Sequence, residues 1–401
     1  MRQVSSVHAP LNNAAVHAQL DDIIRLGDGA AGALLPTAGN RFELIEGTSE
    51  FASRLIADIG NAKQQINLSE FAMHPGTTGE ISRPVQDALM ARAREGLPVN
   101  VQLDWAASAK PGYRDMVAEM EAAGVQVKMK PLTVGRGGLD DARLALDHRK
   151  IFEIDGKITW QGGINLVDEW AGFHDVMLRG EGPIAAQAGG LLAARWRDLG
   201  GTVSDARAAI LHAGLDAPVT NALESTRQLS NGNRNRRELT EHFIAAAQNA
   251  KERLWLTNPY LGDPEVMKHV VDAAKRGVDV RLLLAPKATS AQPWDWVTDP
   301  LRRAHASEIR DAGGTVVQLP IFSHAKAWIA DNEAGIGSFN LDKFSTRQNY
   351  ENAIATTDPS AVRQLEALFD LQASRGSLAT DQSSEGWRTL AKVRNFLDLQ
   401  Y

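Results

Sequence analysis

From Arg41 onward, short apolar runs of strand length alternate with longer stretches whose apolar residues recur at helical spacing. Residues 42–45 read as a strand; Phe51, Leu55, Ile56 and Ile59 fall on one helix face; residues 66–71 read as a second strand. A helix follows over 85–94, with Leu89 and Met90 on its apolar side, and then a strand over 99–103. Strand and helix in alternation predict an α/β fold. The order then recurs. The run 243–250, Lys251 and Leu254-Trp255-Leu256 echo 56–62, Lys63 and Ile66-Asn67-Leu68. Ala273-Ala274-Lys275-Arg276-Gly277 echoes Ala91-Arg92-Ala93-Arg94-Glu95-Gly96, and Ala312-Gly313-Gly314 echoes Ala123-Gly124-Val125.

The chain therefore reads as a tandem duplication of one α/β unit. The expected division is an N-terminal extension over 1–39, a first domain over 40–199, a linker over 200–236 with a polar Ser230-Asn231-Gly232-Asn233 turn, and a second domain over 237–401. The extension, rich in Ala, Asn and Gly, is expected to be mobile apart from one helix around 14–26.

The duplication carries a polar signature. His148-Arg149-Lys150 leads to Asp155 and then Gly162-Gly163-Ile164-Asn165; His324-Ala325-Lys326 leads to Asp331 and then Gly337-Ser338-Phe339-Asn340. Each copy reads H-x-K-x4-D followed by G-[GS]-x-N, where chance would give the first part ~0.02 times in a chain of this composition. In a strand, residues two apart share a face, so each histidine projects beside its lysine. Asp155-Gly156 suits a tight hairpin turn between the apolar runs on either side. The second copy has one residue fewer between its aspartate and its glycine, a difference that a shorter hairpin absorbs.

Two imidazoles, two ammonium groups and the carboxamides of Asn165 and Asn340 suit a phosphodiester. Lysines and asparagines would bind the non-bridging oxygens, one neutral histidine would attack phosphorus, and the other, protonated, would give its proton to the leaving alkoxide. This chemistry calls for no metal or cofactor, and the remaining histidines lack metal-ligand spacing. Two acids add to the pattern: Asp175 and Glu351 each lie 27 residues after their own half's histidine. A carboxylate on the far imidazole nitrogen would fix the tautomer and support the imidazolium.

These paired motifs resemble those of the phospholipase D superfamily, and most closely its bacterial cardiolipin synthase-like branch, over roughly residues 40–375. The resemblance implies two α/β sandwiches about a pseudo-twofold axis, with His148 and His324 as nucleophile and acid and Lys150, Lys326, Asn165 and Asn340 on phosphate. It implies a structural role for Asp155 and Asp331. It also implies a glycerophospholipid substrate, cleaved through a phosphohistidine, with an alcohol or water as acceptor.

Charge and composition narrow the partners. With 43% hydrophobic residues the 401-residue chain can bury a large core, and a net charge of −6 gives no general basic field for nucleic acid. A nuclease is the alternative enzyme. A non-catalytic phospholipid-binding protein is a further one, but binding alone would not require both histidines. Cysteine is absent, which excludes disulfides and thiolate metal sites. The first 35 residues lack the pattern of a secretory signal, and no stretch is long enough to span a bilayer. The expected location is cytoplasmic and peripheral to a membrane, without excluding export by a route that needs no signal peptide. Insertions over 132–145 and 287–306 should rim the pocket. Within them, Arg136 is a candidate contact for a second phosphate, and Trp294 and Trp296, with Arg302 and Arg303 nearby, are candidates for bilayer contact.

Overall fold

Two twisted sheets carry the same strand order. The structure, a computed structural model, describes residues 13–27, 33–76, 79–130, 145–216, 224–232, 236–286 and 295–379. The first half supplies β1 (Arg41–Glu46), β2 (Ile66–Glu70), β3 (Val99–Asp104), β4 (Gln126–Lys130), β5 (Lys150–Ile154), β6 (Ile158–Gly162) and β7 (Val176–Glu181), in the sheet order β1-β7-β6-β5-β2-β3-β4. The second supplies β8 (Thr226–Asn231), β9 (Arg253–Thr257), β10 (Asp279–Leu284), β11 (Thr315–Gln318), β12 (Ala327–Ala330), β13 (Glu333–Gly337), β14 (Glu351–Thr356) and β15 (Ser377–Leu378), in the order β15-β11-β10-β9-β12-β13-β14-β8. Apart from the two-residue β15, each strand has its counterpart.

Helices cover the outer face of each sheet. Phe51 and Leu55 of the helix Thr48–Asn61 and Leu89 of Ser82–Arg94 pack on Ile66, Leu68, Val99 and Val101. Phe243 of Glu238–Asn249 and Val266 and Val270 of Pro264–Lys275 do the same on Leu254, Leu256 and Val280. The inner faces meet each other. Gln161 and Gln228 exchange amide hydrogen bonds of 2.6 and 2.9 Å across the halves, and Asn352 donates to the Gln161 carbonyl at 2.8 Å. Buried amides that satisfy one another fix a single docking register, because a shifted one would strand them.

The helix expected around 14–26 is present as Asn13–Leu26 and buries Val16, Leu20 and Ile23 against Ala186, Leu191 and Leu211 of the helices Pro183–Asp198 and Asp205–Leu215. One expectation about boundaries needs correction. The segment 200–236 is more than a linker, since it contains β8, the edge strand that pairs along the whole of β14. Its polar Thr-Arg-Gln-Leu-Ser-Asn sequence hides a strand in which Thr226, Gln228 and Asn231 bond to other amides and hydroxyls and Leu229 joins the hydrocarbon core.

The motif aspartates hold the hairpins. Asp155 and Gly156 adopt φ of 58° and 68°, and Asp331 φ of 49°, the left-handed backbone that tight hairpin turns demand. The Asp155 carboxylate accepts the N–H groups of Lys63, Gln64 and Gln65 at 2.7–2.9 Å; Asp331 accepts those of Lys251, Glu252 and Arg253 at 2.9–3.1 Å. Each aspartate therefore ties its hairpin to the loop entering the neighbouring strand. The missing residue of the second copy is in this turn: Ile154 pairs with Ile158, whereas Ala330 pairs with Glu333.

Candidate active site

Each histidine lies just ahead of a central strand, where the chain crosses to the other half. His148 N–H donates to the Tyr350 carbonyl at 2.9 Å, and Tyr350 N–H to Leu146 at 2.8 Å. His324 N–H donates to the His174 carbonyl at 2.7 Å, and His174 N–H to Phe322 at 3.0 Å. These two short bridges stand in pseudo-symmetric positions. A buried ion cluster braces the first: Arg149 and Arg195 both bond the Asp147 carboxylate at 2.8 Å, and both guanidinium groups lie over the Tyr350 ring.

The bridges cross the carboxylates. Asp175 and Glu351, at equal offsets from the histidines of their own halves, each bond the histidine of the other half. His148 Nδ1 meets Glu351 Oε2 at 3.0 Å, and His324 Nδ1 meets Asp175 Oδ2 at 2.8 Å. Accepting carboxylates place a proton on both Nδ1 atoms and leave both Nε2 lone pairs for chemistry.

The G-[GS] tail explains how the two acids are seated. A Cβ on Gly163 would collide with the Asp175 carboxylate, so the shorter acid requires glycine there. In the second half Ser338 occupies that place and donates its hydroxyl to the longer Glu351, which also accepts from Ser345 Oγ at 2.6 Å. Gly162 and Gly337 are fixed by the next strand, where a Cβ would strike the carbonyl oxygens of Val176 and Asn352.

Both lysines are buried. Lys150 Nζ donates to the His148 carbonyl at 2.8 Å and lies over the Phe71 ring, whereas Lys326 Nζ donates to His324 Nε2 at 2.8 Å and to the His324 carbonyl. Burial shapes the ionisation of all four groups. It pulls Lys326 down to about 7 despite Asp175, and pulls Lys150 below its ordinary value with Glu70 opposing. His324 falls to about 4 through burial and the Lys326 charge, with Asp175 pulling the other way. His148 is likewise lowered by burial, against the attraction of Glu351. Burial raises Asp175 and Glu351, but bonding to the imidazoles outweighs it and both stay below the usual carboxylate values. At neutral pH each pair is thus a carboxylate beside a neutral imidazole.

Asn165 and Asn340 are buried, and the carbonyl oxygen of each side chain has no hydrogen-bond partner. Asn165 lines the pocket together with Asp175, His324, Thr48, Ile164, Trp170 and Phe173. The Trp170 and Phe322 rings stand 6.5 and 6.4 Å from that of His324, and Phe71 stands 4.6 Å from His148. Among the described residues no cluster of His, Asp or Glu could hold a metal ion, and no helix is long and apolar enough to cross a membrane.

Arg136 and Trp294 lie outside the described residues. Trp296 lies on the helix Asp295–Asp311, but its side chain is outside them too. Arg302 is corrected: it is 5% exposed, bonded to Asp299 and the Ala285 carbonyl, and so is not available to lipid. Residues that sequence reasoning missed include Ser338 and Ser345 on Glu351, and His174, whose Nδ1 meets Ser323 Oγ at 3.0 Å beside the second histidine. Ser338 was visible inside the motif. His174 had no signal, because its partner is distant in sequence.

Comparison with known proteins finds relatives over most of the chain. Residues 243–372 match a family model described as "Cardiolipin synthase, PLD-like domain". The chain is 28% identical over 390 residues to cardiolipin synthase A of Escherichia fergusonii, covering 92% of this chain and 76% of that protein. It is 26% identical over 381 residues to cardiolipin synthase A of Buchnera aphidicola, covering 92% and 75%. The crystal structure of phosphatidylserine synthase from Haemophilus influenzae superposes with a TM-score of 0.67 at 14% identity, covering 95% of this chain and 98% of that one, a likeness of fold.

Proposed function

We propose that the chain is a phosphatidyltransferase of the phospholipase D superfamily, one that moves the phosphatidyl group of a glycerophospholipid to an alcohol or to water. One observation supports this reading above the rest: two histidine–lysine pairs converge with both Nδ1 atoms held by carboxylates of the opposite half. One Nε2 attacks phosphorus while the other imidazole, protonated once the anionic diester is bound, gives its proton to the departing headgroup alkoxide. The second imidazole then takes a proton from the acceptor hydroxyl, whose oxygen attacks phosphorus and releases the first. Lys150, Lys326, Asn165 and Asn340 bind the non-bridging oxygens throughout.

Peripheral contact with a membrane belongs to the same reading. Trp105 and Ile321, 40% and 51% exposed, follow the C-terminal ends of β3 and β11, next to the segments that lead into the two histidines. They take the place of the buried Arg302 as bilayer contacts. The test is to incubate the protein separately with labelled phosphatidylglycerol, phosphatidylethanolamine and single-stranded DNA and to separate the products. Phosphatidyl transfer or headgroup release is expected; cleavage of DNA with both lipids intact would overturn the proposal.

A further inference from the structure

Glu70, the last residue of β2, is the direct cross-strand partner of Lys150 on β5, so the two side chains leave the sheet on one face. It is 1% exposed, and neither carboxylate oxygen has a hydrogen-bond partner, although the amides of Phe71 and Ala72 are close. A buried acid without donors is unfavourable unless something else requires it. The duplication supplies a control. Ser69 pairs with Ile151 and Thr257 with Ala327, which places Asn258 where the first half has Glu70. Asn258 is fully engaged, donating to the Phe339 carbonyl at 3.0 Å and accepting from Tyr260 and Leu341 at 3.1 and 3.3 Å. One half thus has a bonded amide and the other an unbonded acid facing a buried lysine.

The surroundings of Lys150 say what that acid is for. Its ammonium bonds a neutral carbonyl and lies over the Phe71 ring. Of the other acids that act on it, Glu351 is bonded to His148, Asp175 to His324, and Asp147 to two arginines. Glu70 alone among these has no other partner. We propose that Glu70 is a positioning residue that keeps Lys150 charged, making it the fixed phosphate anchor of the site while Lys326 exchanges protons with His324. Burial moves the Glu70 carboxyl well above its ordinary value and the Lys150 ammonium down, and their mutual attraction opposes both, helped at Glu70 by the nearby Ala72 and Phe71 N–H groups. What Lys150 does in catalysis rests on the phosphatidyltransferase reading; the charge on it does not.

The test therefore includes a readout that needs no turnover. Binding of tungstate, a phosphate mimic, to the full chain is measured by calorimetry across pH, beside kcat/KM and the thermal midpoint, for Glu70→Gln and Glu70→Asp. Glu70→Gln should leave the midpoint little changed, since removal of an unbonded buried acid is offset by the loss of its attraction to Lys150. It should also move the alkaline loss of tungstate binding down by about one pH unit, an affinity about tenfold weaker on that limb. The kcat/KM profile should move the same way, with Glu70→Asp in between. A lower midpoint with an unmoved alkaline limb would make Glu70 merely structural and overturn the proposal. A shifted tungstate limb in a protein that transfers no phosphatidyl group would uphold Glu70 while refuting the function proposed above.

Discussion

The two halves share one strand order and one motif, yet they surround their catalytic groups differently. In the first, Lys150 faces Glu70 and bonds only a carbonyl; in the second, Lys326 faces no such acid and bonds the reactive nitrogen of His324. The acid lent by the first half is Asp175, held by the histidine and one backbone N–H at 2.8 Å. The acid lent by the second is Glu351, held by the histidine and two hydroxyls. Symmetry thus extends to the backbone and to residue class. It stops at the contacts that set charge, as it must if one histidine attacks while the other delivers a proton.

The largest test of that division is removal of each histidine. His148→Ala and His324→Ala should each cost about 10³-fold or more in turnover of a phospholipid. They should differ on a diester with a nitrophenolate leaving group, which needs no proton: the variant lacking the acid recovers rate and the variant lacking the nucleophile does not. Full phospholipid turnover in either variant would end the two-histidine mechanism.

A smaller effect probes the crossing. Asp175→Asn and Glu351→Gln keep shape but remove the charge that orders each imidazole, so turnover should drop by roughly 10- to 100-fold. Nuclear magnetic resonance of the imidazoles should show Asp175→Asn perturbing His324, and Glu351→Gln perturbing His148. Perturbation within the same half would contradict the geometry.

Acid stability separates the halves more finely. His324 titrates at about 4 in the folded chain against an ordinary 6.5. Between these values the unfolded chain holds the extra proton, so the stability due to this group is complete above about pH 6.5 and is lost as pH falls towards 4. The thermal midpoint should fall from pH 7 to pH 5, and His324→Gln should flatten that slope; an unchanged slope would assign the acid sensitivity elsewhere.

The smallest effect on turnover belongs to the hairpin acids. Asp155→Ala and Asp331→Ala each strand three backbone donors, at a cost of about 1–3 kcal/mol in chemical denaturation. The cost should be larger for the more buried Asp155. Activity measured below the unfolding transition should barely change, and a collapse of kcat there would make these acids reactants.

Much of this was legible from local pattern. The apolar periodicity announced the strands and outer helices, and the repeated H-x-K-x4-D marked the reacting groups because both members of each pair stand two residues apart at the entry to one central strand. Even the echo of Lys63 in Lys251 was meaningful, since these are the residues whose N–H groups the motif aspartates accept. What escaped depends on docking. The equal offset of Asp175 and Glu351 gave no sign that each serves the opposite histidine, because a spacing within one half says nothing about which half it faces. β8 was hidden because Gln228 and Asn231 turn to polar partners inside the protein. Glu70 ended an ordinary alternating strand, and only pairing with Lys150 distinguishes it.

The crossing of the carboxylates also limits how the two halves can drift apart. A substitution that lengthens the acid in one half is compensated by the loop beside that acid, as Gly163 with Asp175 and Ser338 with Glu351 illustrate, yet its effect falls on the histidine of the other half. Neither half can therefore be exchanged for that of a distant relative on the strength of its own motif alone: in a chimaera each histidine comes from one ancestor and the acid that tunes it from the other. Duplication freed the halves to specialise, but the lending of one side chain in each direction keeps them a single unit of inheritance.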